Sequence, residues 1–329
     1  MGKYVIIFRN YYGFLRPSGR MPYITSENRV KRTYQTQKGR KIPLMCPEKF
    51  SVAMAVYAKD EPWHFKIAVD SILNQTCPPS EVVLVVDGPV PLSLDELITA
   101  YEANPLFRVI RLEKNRGHGH ARRTGLAHCS YDLVALMDAD DISRPDRFEK
   151  QLACMTADPT LSIVGGTIAE FIGSPENVVS YRHVENADED IKRDLRFRCP
   201  MNQVSVLFRK EDVKRAGGYL DFYCEEDYYL WVRMALLGMK FANVSDVLVN
   251  VRVGRDMYRR RGGLRYFKSE ARLQKFMYKN RLIGISRYLL NVTKRLVVQV
   301  LLPSRVRGYV FRKFARTPKT PEGKSHYAS

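Results

Sequence analysis

Three aspartates close one apolar run, Leu133-Val134-Ala135-Leu136-Met137-Asp138-Ala139-Asp140-Asp141. Asp138 and Asp140, one residue apart, can both reach a hard divalent cation, and oxygen ligands suit Mg²⁺ or Mn²⁺. Asp141 takes that part if the register slips by one. On this run alone, a solvated acidic turn accounts for the pattern as well as a metal site does. A second acidic group, Glu225-Glu226-Asp227, precedes a helical pattern from Tyr228 to Leu237, closed by Gly238. Carboxylates there either complement the helix dipole or serve catalysis as a proton acceptor.

The elements that must position these groups follow from the apolar pattern. An uninterrupted run such as Leu133–Met137 suits a strand buried on both faces. Unpaired carboxylates are costly inside it, so they belong at its C-terminal end, where open α/β sheets bind ligands. Ser51–Tyr57 and Glu81–Val86 read as two further buried strands, and Arg108–Leu112 as a third. Between them the spacing predicts helices from Asp60, a plausible N-cap with Pro62 behind it, to about Asn74, then over Leu94–Glu102 and Ala121–Ser130. Pro145-Asp146-Arg147 opens a helix to Ala157, and Leu161–Thr167 is a strand broken by Gly165-Gly166, either a bulge or the close approach of another group such as an acceptor. Alternating strands and helices predict a doubly wound α/β sheet that is mostly parallel. Each strand end carries polar groups: Lys59-Asp60, Asp87-Gly88, Asn115-Arg116-Gly117 and Asp138-Ala139-Asp140. Four such ends on one edge are what a nucleotide site in this architecture needs.

Composition bounds the rest. The 329 residues have room for one large domain or two small ones, and 45% hydrophobic content is ordinary for a folded core. The net charge of +19 is uneven. Residues 252–316 hold 19 Lys/Arg against 2 acids, residues 1–49 hold 11 against 2, and residues 50–251 hold 22 against 30. Basic flanks around an acidic body point to an anionic partner, membrane lipid or nucleic acid. The organisation expected is a basic extension over 1–49 (with Met45 an alternative start), a catalytic domain over 50–251, basic amphipathic helices over 252–316 and a flexible tail over 317–329. Six cysteines without CxxC spacing read as reduced cytosolic thiols. No apolar run reaches the roughly 18 residues of a spanning helix, and Val5–Phe8 is too short for a signal peptide.

Several ordered motifs between Phe50 and Val251 resemble family 2 glycosyltransferases of the GT-A fold. SVAMAVYAKDEP is similar to the family's first strand and loop, and Ser71–Thr76 to its SILNQT helix end. VVLVVDG resembles the strand carrying a uracil-contacting aspartate, here Asp87. Asn115-Arg116-Gly117 with Ala121-Arg122 resembles NxGxxxAR; MDADD with Pro145 and Arg147 resembles the DxD segment; Glu226-Asp227-Tyr228 with Leu230-Trp231-Arg233 resembles EDxxLWxR. The exopolysaccharide members of the amylovoran type share the tail segment Gly254–Gly263. Two departures stand out: Asp87 is followed by Gly88-Pro89 rather than Gly-Ser, and the QxxRW motif of processive synthases is absent.

The resemblance implies a Rossmann-like GT-A domain with C-terminal basic helices. It implies transfer of one sugar, with inversion, from a nucleotide-sugar, a UDP-sugar by the Asp87 likeness, to a glycan or polyprenyl-linked acceptor. Asp140 is then the first metal ligand, with Asp138 sharing the metal or contacting ribose. Asp227 is the base and Glu226 its runner-up. Tyr57, Asp60, Asp87 and Arg122 border the nucleotide, Arg122 through the diphosphate, and Asn202 meets the acceptor. Core packing, helix capping and a surface charge are the competing accounts of Tyr57, Asp60 and Arg122, and Trp231 is structural. His118-x-His120 falls in a mobile loop. Leu264–Lys279 and Ile285–Leu302 form basic amphipathic helices, either packed on the body or lying on an anionic membrane at the cytoplasmic face of the inner membrane. A nucleic-acid-binding protein would show stacking platforms or a groove-reading motif, and a nucleotidyltransferase a glycine-rich phosphate loop; the chain has neither.

Overall fold

The computed structural model describes residues 33–35, 41–43, 46, 48–254, 262–302 and 317–318. The expectations for the rest of 1–49, for the centre of the Gly254–Gly263 stretch and for residues 303–316 lie outside them. Residues Met1–Leu44 and Met45–Ser329 are two compact units, so the C-terminal helices belong to the same unit as the main sheet. Of the first unit only a two-stranded ladder is described, β1 (Thr33–Gln35) antiparallel to β2 (Lys41–Pro43).

The second unit is built on one mixed sheet. Its parallel centre is β3 (Phe50–Val56), β4 (Glu81–Val86), β5 (Phe107–Arg111) and β6 (Leu133–Asp138), in spatial order β5-β4-β3-β6. Helices α1 (Pro62–Leu73), α2 (Leu92–Glu102) and α3 (His118–His128) make the crossovers. Alternate residues feed two cores. Val52, Met54 and Val56 pack with Phe65, Val69 and Ile72 of α1, while Ala53, Val83 and Val134 face Leu126 of α3. Burial on both faces is why these strands are continuous apolar runs.

After β6 the sheet turns antiparallel. The short β7 (Ile142–Ser143) leads to α4 (Arg147–Ala157) and β8 (Leu161–Phe171), followed by β9 (Val178–Arg182) and α5 (Asp188–Asp194). β10 (Leu207–Arg209) inserts antiparallel between β6 and β8. Then come α6 (Lys210–Arg215), α7 (Glu226–Leu236), β11 (Lys240–Arg252), α8 (Leu264–Lys279), α9 (Ile285–Leu296) with a π-helical turn to Leu301, and β12 (Thr317–Pro318), paired with β9. β11 runs parallel to β8 and also clamps β7.

Several expectations are corrected here. Gly165 and Gly166 do not break β8; a Cβ at Gly165 would lie 2.5 Å from Asn243 Oδ1, and one at Gly166 2.7 Å from Leu248 Cδ1. The group approaching closely is β11, not an acceptor. Asp60 does not cap α1, whose N-cap is Glu61. Its Oδ2 instead accepts the Tyr57 N–H at 2.9 Å, closing the loop after β3. Cys46 and Cys77 form a disulfide, because the entry to β3 and the turn after α1 bring their Cα atoms to 5.5 Å. The other four cysteines are free. His118 and His120 stand in the first turn of α3, not in a mobile loop.

Candidate active site

A cavity of about 680 Å³ opens at the C-terminal ends of β3, β4 and β6. Tyr57, Asp60, Asp87, Asp138 and Asp140 all line it, so five of the six residues expected at the nucleotide converge. Tyr57 is 38% exposed, which removes core packing as its explanation. Asp87 sits at the end of β4 and pins the β5–α3 loop: its Oδ1 accepts the Arg116 N–H at 2.8 Å and its Oδ2 the Gly117 N–H at 3.0 Å. Its neighbour Gly88 has φ +88°, and a Cβ there would fall 2.4 Å from Asn115 N, so the approach of that loop demands glycine.

The aspartates after β6 are held from β11. Arg252 N donates to Asp141 Oδ1 at 2.8 Å, and Arg252 Nε to the Asp140 carbonyl at 3.1 Å. Asp141 is thereby held nearly buried in the cavity wall beside Asp140. Burial, and then the charges of Asp140 and Asp138, push its carboxyl well above the ordinary range. Burial and the same two neighbours raise Asp60 to about 7, against the Tyr57 amide. Burial acts on Asp138 in the same sense, but the guanidinium of Arg122 and then His118 outweigh it and hold Asp138 low.

Arg122 is the correction of most consequence. It does not line the cavity. It lies in α3 at 9% exposure, with Nη2 at 3.0 Å from Asp138 Oδ1 and Nη1 at 3.3 Å from Glu226 Oε1. Its register in α3 points it behind the cavity floor, where it ties the end of β6 to the start of α7. Its charge, followed by burial, lowers His118 to about 4. Gln203, with its amide oriented to satisfy both neighbours, accepts from Arg122 Nη1 at 2.7 Å and donates to Asp227 Oδ2 at 2.9 Å. One guanidinium thus reaches Asp138 and Glu226 directly and Asp227 through an amide.

Glu225, Glu226 and Asp227 have different surroundings. Glu226 is spent on Arg122. Burial, then the charge of Asp227, still raises its pKa. Glu225 is 5% exposed, and burial followed by the charges of Glu270 and Asp227 pushes it well above the usual range. Asp227, its Oδ1 accepting the Tyr228 N–H at 2.7 Å, lines a second cavity of about 300 Å³ bounded by α7, α8 and α9. Cys224 and Tyr266 line both cavities, so the two meet there. Trp231 is fully buried, as expected.

Asn202 is also corrected. It is 1% exposed and lines neither cavity. Its Nδ2 donates to the Gly166 carbonyl at 2.8 Å and its Oδ1 accepts from Arg182 Nη1 at 2.6 Å, so it positions Arg182 from behind. Sequence reasoning missed Gln203, Arg252 and His118 as parts of the site. The first two reach it by tertiary pairing alone; His118 was legible as i−4 to Arg122, on the same face of α3.

Asp138 and Asp140 fit a divalent cation. Their oxygens are hard donors, and the crowding of carboxylates that lifts Asp60 and Asp141 is what a cation relieves. Among the described residues no three His, Cys, Asp or Glu side chains converge into a ready-made cage. That suits Mg²⁺ or Mn²⁺ held by one or two carboxylates together with substrate phosphates.

A parallel βα core delivers carboxylates to the edge where open α/β sheets hold their ligands, with a further carboxylate across the cleft. The family profile described as glycosyl transferase family 2 matches residues 51–212, and that of glycosyl transferase family group 2 matches 133–317. An uncharacterised glycosyltransferase of Haemophilus influenzae is 39% identical over 82% of this chain and 99% of its own length. The UDP-Gal:alpha-D-GlcNAc-diphosphoundecaprenol beta-1,3-galactosyltransferase of Escherichia coli is 35% identical over 82% and 97%. The amylovoran biosynthesis glycosyltransferase AmsE of Erwinia amylovora is 36% identical over 80% and 98%. The chain belongs to glycosyl transferase family 2, and it is an enzyme of that class. Its fold is that of the S. aureus TarS 1–349 complex with UDP-GlcNAc, at TM-score 0.58 and 15% identity over 76% of this chain and 73% of that one. It is equally that of the Pyrobaculum calidifontis mannosyltransferase in complex with GDP-Man and Mn²⁺, at TM-score 0.55 and 18% identity over 82% and 77%.

Proposed function

We propose that this enzyme moves a single sugar, with inversion, from a UDP-sugar to a hydroxyl of a lipid-linked glycan at the cytoplasmic face of the inner membrane. The observation that carries the proposal is the meeting of the two cavities at Cys224 and Tyr266. One is lined by the carboxylates of the strand ends, the other by Asp227. The donor lies in the larger cavity, its base beside Tyr57 and Asp87, whose oxygens each keep a lone pair for a nucleobase N–H. Asp140, with Asp138 sharing the ion or turned to the ribose, would hold a Mg²⁺ or Mn²⁺, which would supply positive charge to the departing diphosphate. The acceptor hydroxyl enters from the second cavity. Asp227 takes its proton as the oxygen attacks the anomeric carbon, and the bond to the diphosphate breaks on the opposite face. Gln203 and Arg122 fix the carboxylates on both sides of that axis, so Arg122 is a positioning residue.

The relative from Escherichia coli carries its acceptor on diphosphoundecaprenol, which supports a lipid-linked acceptor here. No described helix is long and apolar enough to cross a membrane. α9 supports an interfacial position instead. Its polar residues Asn291, Arg295 and Gln299 of the following turn face inward, while Ile285 (53% exposed), Leu289 (56%), Leu290 (60%) and Leu301 (66%) face out. An apolar face turned outward in a segment this basic suits the boundary of an anionic bilayer. The test is a panel of nucleotide-sugars assayed for Mn²⁺-dependent transfer to lipid-linked acceptors, with hydrolysis as the acceptor-free readout. UDP-sugars are expected to be turned over and Asp140→Ala to abolish it. Turnover of no nucleotide-sugar in either format would sink the reading.

A further inference from the structure

The second cavity contains more than a base needs. Arg182, Arg198, Lys294 and Arg295 line it along with Asp227. Two of these cations are built into its wall. Arg182 Nη2 donates to the Cys199 carbonyl at 2.7 Å, and Arg295 Nε pairs with Glu270 at 2.6 Å. The other two stand at the mouth. Lys294 is exposed, and Arg198, 47% exposed, pairs among the described residues with Asp194 at 2.6 Å, a solvated pair of small worth. Arg287 adds its charge beside them, its guanidinium 4.0 Å from the ring of Phe197, itself a lining residue. Glu270 is neutralised by Arg295, and burial favours the neutral form of Glu225, the other carboxylate of the lining, so the mouth is left positive while Asp227 lies further in.

Lys294 also interrupts an apolar stripe. On α9, Leu290, Lys294 and Val297 fall at i−4, i and i+3, one helical row, and both apolar neighbours are exposed, at 60% and 41%. Three kinds of chemistry therefore follow one another along one path: a proton-accepting carboxylate, a cluster of cations, and an outward hydrocarbon surface. A molecule with a hydroxyl-bearing sugar, a diphosphate and an alkyl chain in that order matches all three.

We infer that the second cavity seats the diphosphate of the acceptor between Arg198 and Lys294, with the acceptor sugar against Asp227 and the lipid chain leaving along the Leu290–Val297 row of α9. This deepens the proposed lipid-linked acceptor and rests on it. Lysine and arginine are the side chains for such an anion, each through a charge-assisted hydrogen bond.

The test is calorimetric binding of undecyl diphosphate to the full chain, with UDP and Mn²⁺ saturating so that the donor cavity is closed to the probe. Undecyl diphosphate should bind at least about ten-fold more tightly than inorganic pyrophosphate, the chain supplying the difference. Lys294→Glu and Arg198→Glu should each weaken it about ten-fold, the size of one charge-assisted hydrogen bond. Lys275→Glu, a reversal at an exposed α8 position outside the cavity, should change it less than about two-fold. All three positions are exposed, and Lys294→Gln and Arg198→Gln give graded losses should a reversal disturb folding. Binding that ignores Lys294 and Arg198, or falls equally with Lys275→Glu, overturns the seat. Pyrophosphate binding as well as undecyl diphosphate would make it a free-phosphate site and overturn the lipid assignment. UDP binding, titrated first, is a separate reading: its absence counts against the transferase proposal, whereas its presence with charge-insensitive probe binding counts against the seat alone.

Discussion

The two cavities that meet at Cys224 and Tyr266 are built in opposite ways. The donor cavity is an edge: β3 and β4 end on valine, β6 runs apolar to Met137 and closes on Asp138, and the chemistry begins there. The second cavity is an interior. Its walls come from α7, α8 and α9, and polar side chains are turned into it: Glu270 to Arg295 at 2.6 Å, Gln299 Nε2 to Glu270 at 2.6 Å, Asn291 Nδ2 to Gln274 Oε1 at 2.8 Å. In the first region apolar residues are hidden and acids shown. In the second a buried polar network carries α9 while its leucines are shown. Each of these contacts joins α8 to α9 or the turn after it across a long stretch of sequence, so the second region is specified by tertiary partners rather than by local pattern.

The sharpest way to separate the halves is to disable each chemically. Asp227→Asn keeps the size and the Tyr228 amide contact but cannot take a proton. Turnover should fall roughly a thousand-fold, within the usual range for loss of a general base, while UDP affinity stays at the wild-type value. Stopped-flow or coupled assay of the variant gives the first number and calorimetry the second. Retention of turnover would move the base elsewhere. Asp140→Ala should do the reverse, lowering Mn²⁺-dependent UDP affinity by about a hundred-fold through loss of a metal ligand. Equal UDP affinity with and without Mn²⁺ in the wild type would remove Asp140 from the metal.

How far each half was legible follows from the same contrast. Leu133–Met137 ahead of Asp138 announces a buried strand and a site at its end, because strand burial and carboxylate cost are local physics. Asp60, Asp87 and Asp140 follow strand ends in the same way, and all three line the donor cavity. Arg122 was not legible, since whether an arginine on α3 faces phosphate or lies beneath Asp138 depends on how the helix sits over β3 and β4. Asn202 failed for a related reason: its partners Gly166 and Arg182 lie on β8 and β9, and only their pairing shows that its amide is consumed. β11 went unread because its alternation is broken by register shifts against β8. The six cysteines looked alike, and the proximity of Cys46 to Cys77 is a property of the fold.

A leucine-by-leucine comparison sharpens the contrast between neighbouring helices. Leu273 of α8 is fully buried in the second core, whereas Leu289 of α9 is 56% exposed. Leu273→Ala should cost about 3 kcal/mol of stability, as large-to-small changes in packed cores do. Leu289→Gln combined with Leu290→Gln should leave the melting temperature within about 2 °C of wild type, surface changes costing little. The pair should instead lower sedimentation with anionic vesicles about ten-fold, the hydrocarbon transfer of two partly inserted leucines. Unfolding by the double variant, or unaltered vesicle binding, would show that the outward face of α9 has another use.

The smallest effect tests the electrostatics of the donor edge. Asp60 is raised to about 7 from an ordinary 3.8, by burial and by Asp140 and Asp138. In the folded protein it therefore holds its proton more tightly than in the unfolded chain. Between those two values the unfolded state binds fewer protons, so stability declines as pH rises through the window and stays lower above it. Asp60→Asn keeps an acceptor for the Tyr57 amide and removes the titration. Its melting temperature should match wild type near pH 4 and exceed it by about 2 °C at pH 8 without metal. Added Mn²⁺ should reverse the order at pH 8, because a cation among Asp60, Asp138 and Asp140 favours the ionised carboxylate that the variant lacks. A gain that is the same at both pH values would mean that Asp60 is not in the field of the other two, and the cation would then have to be placed without it.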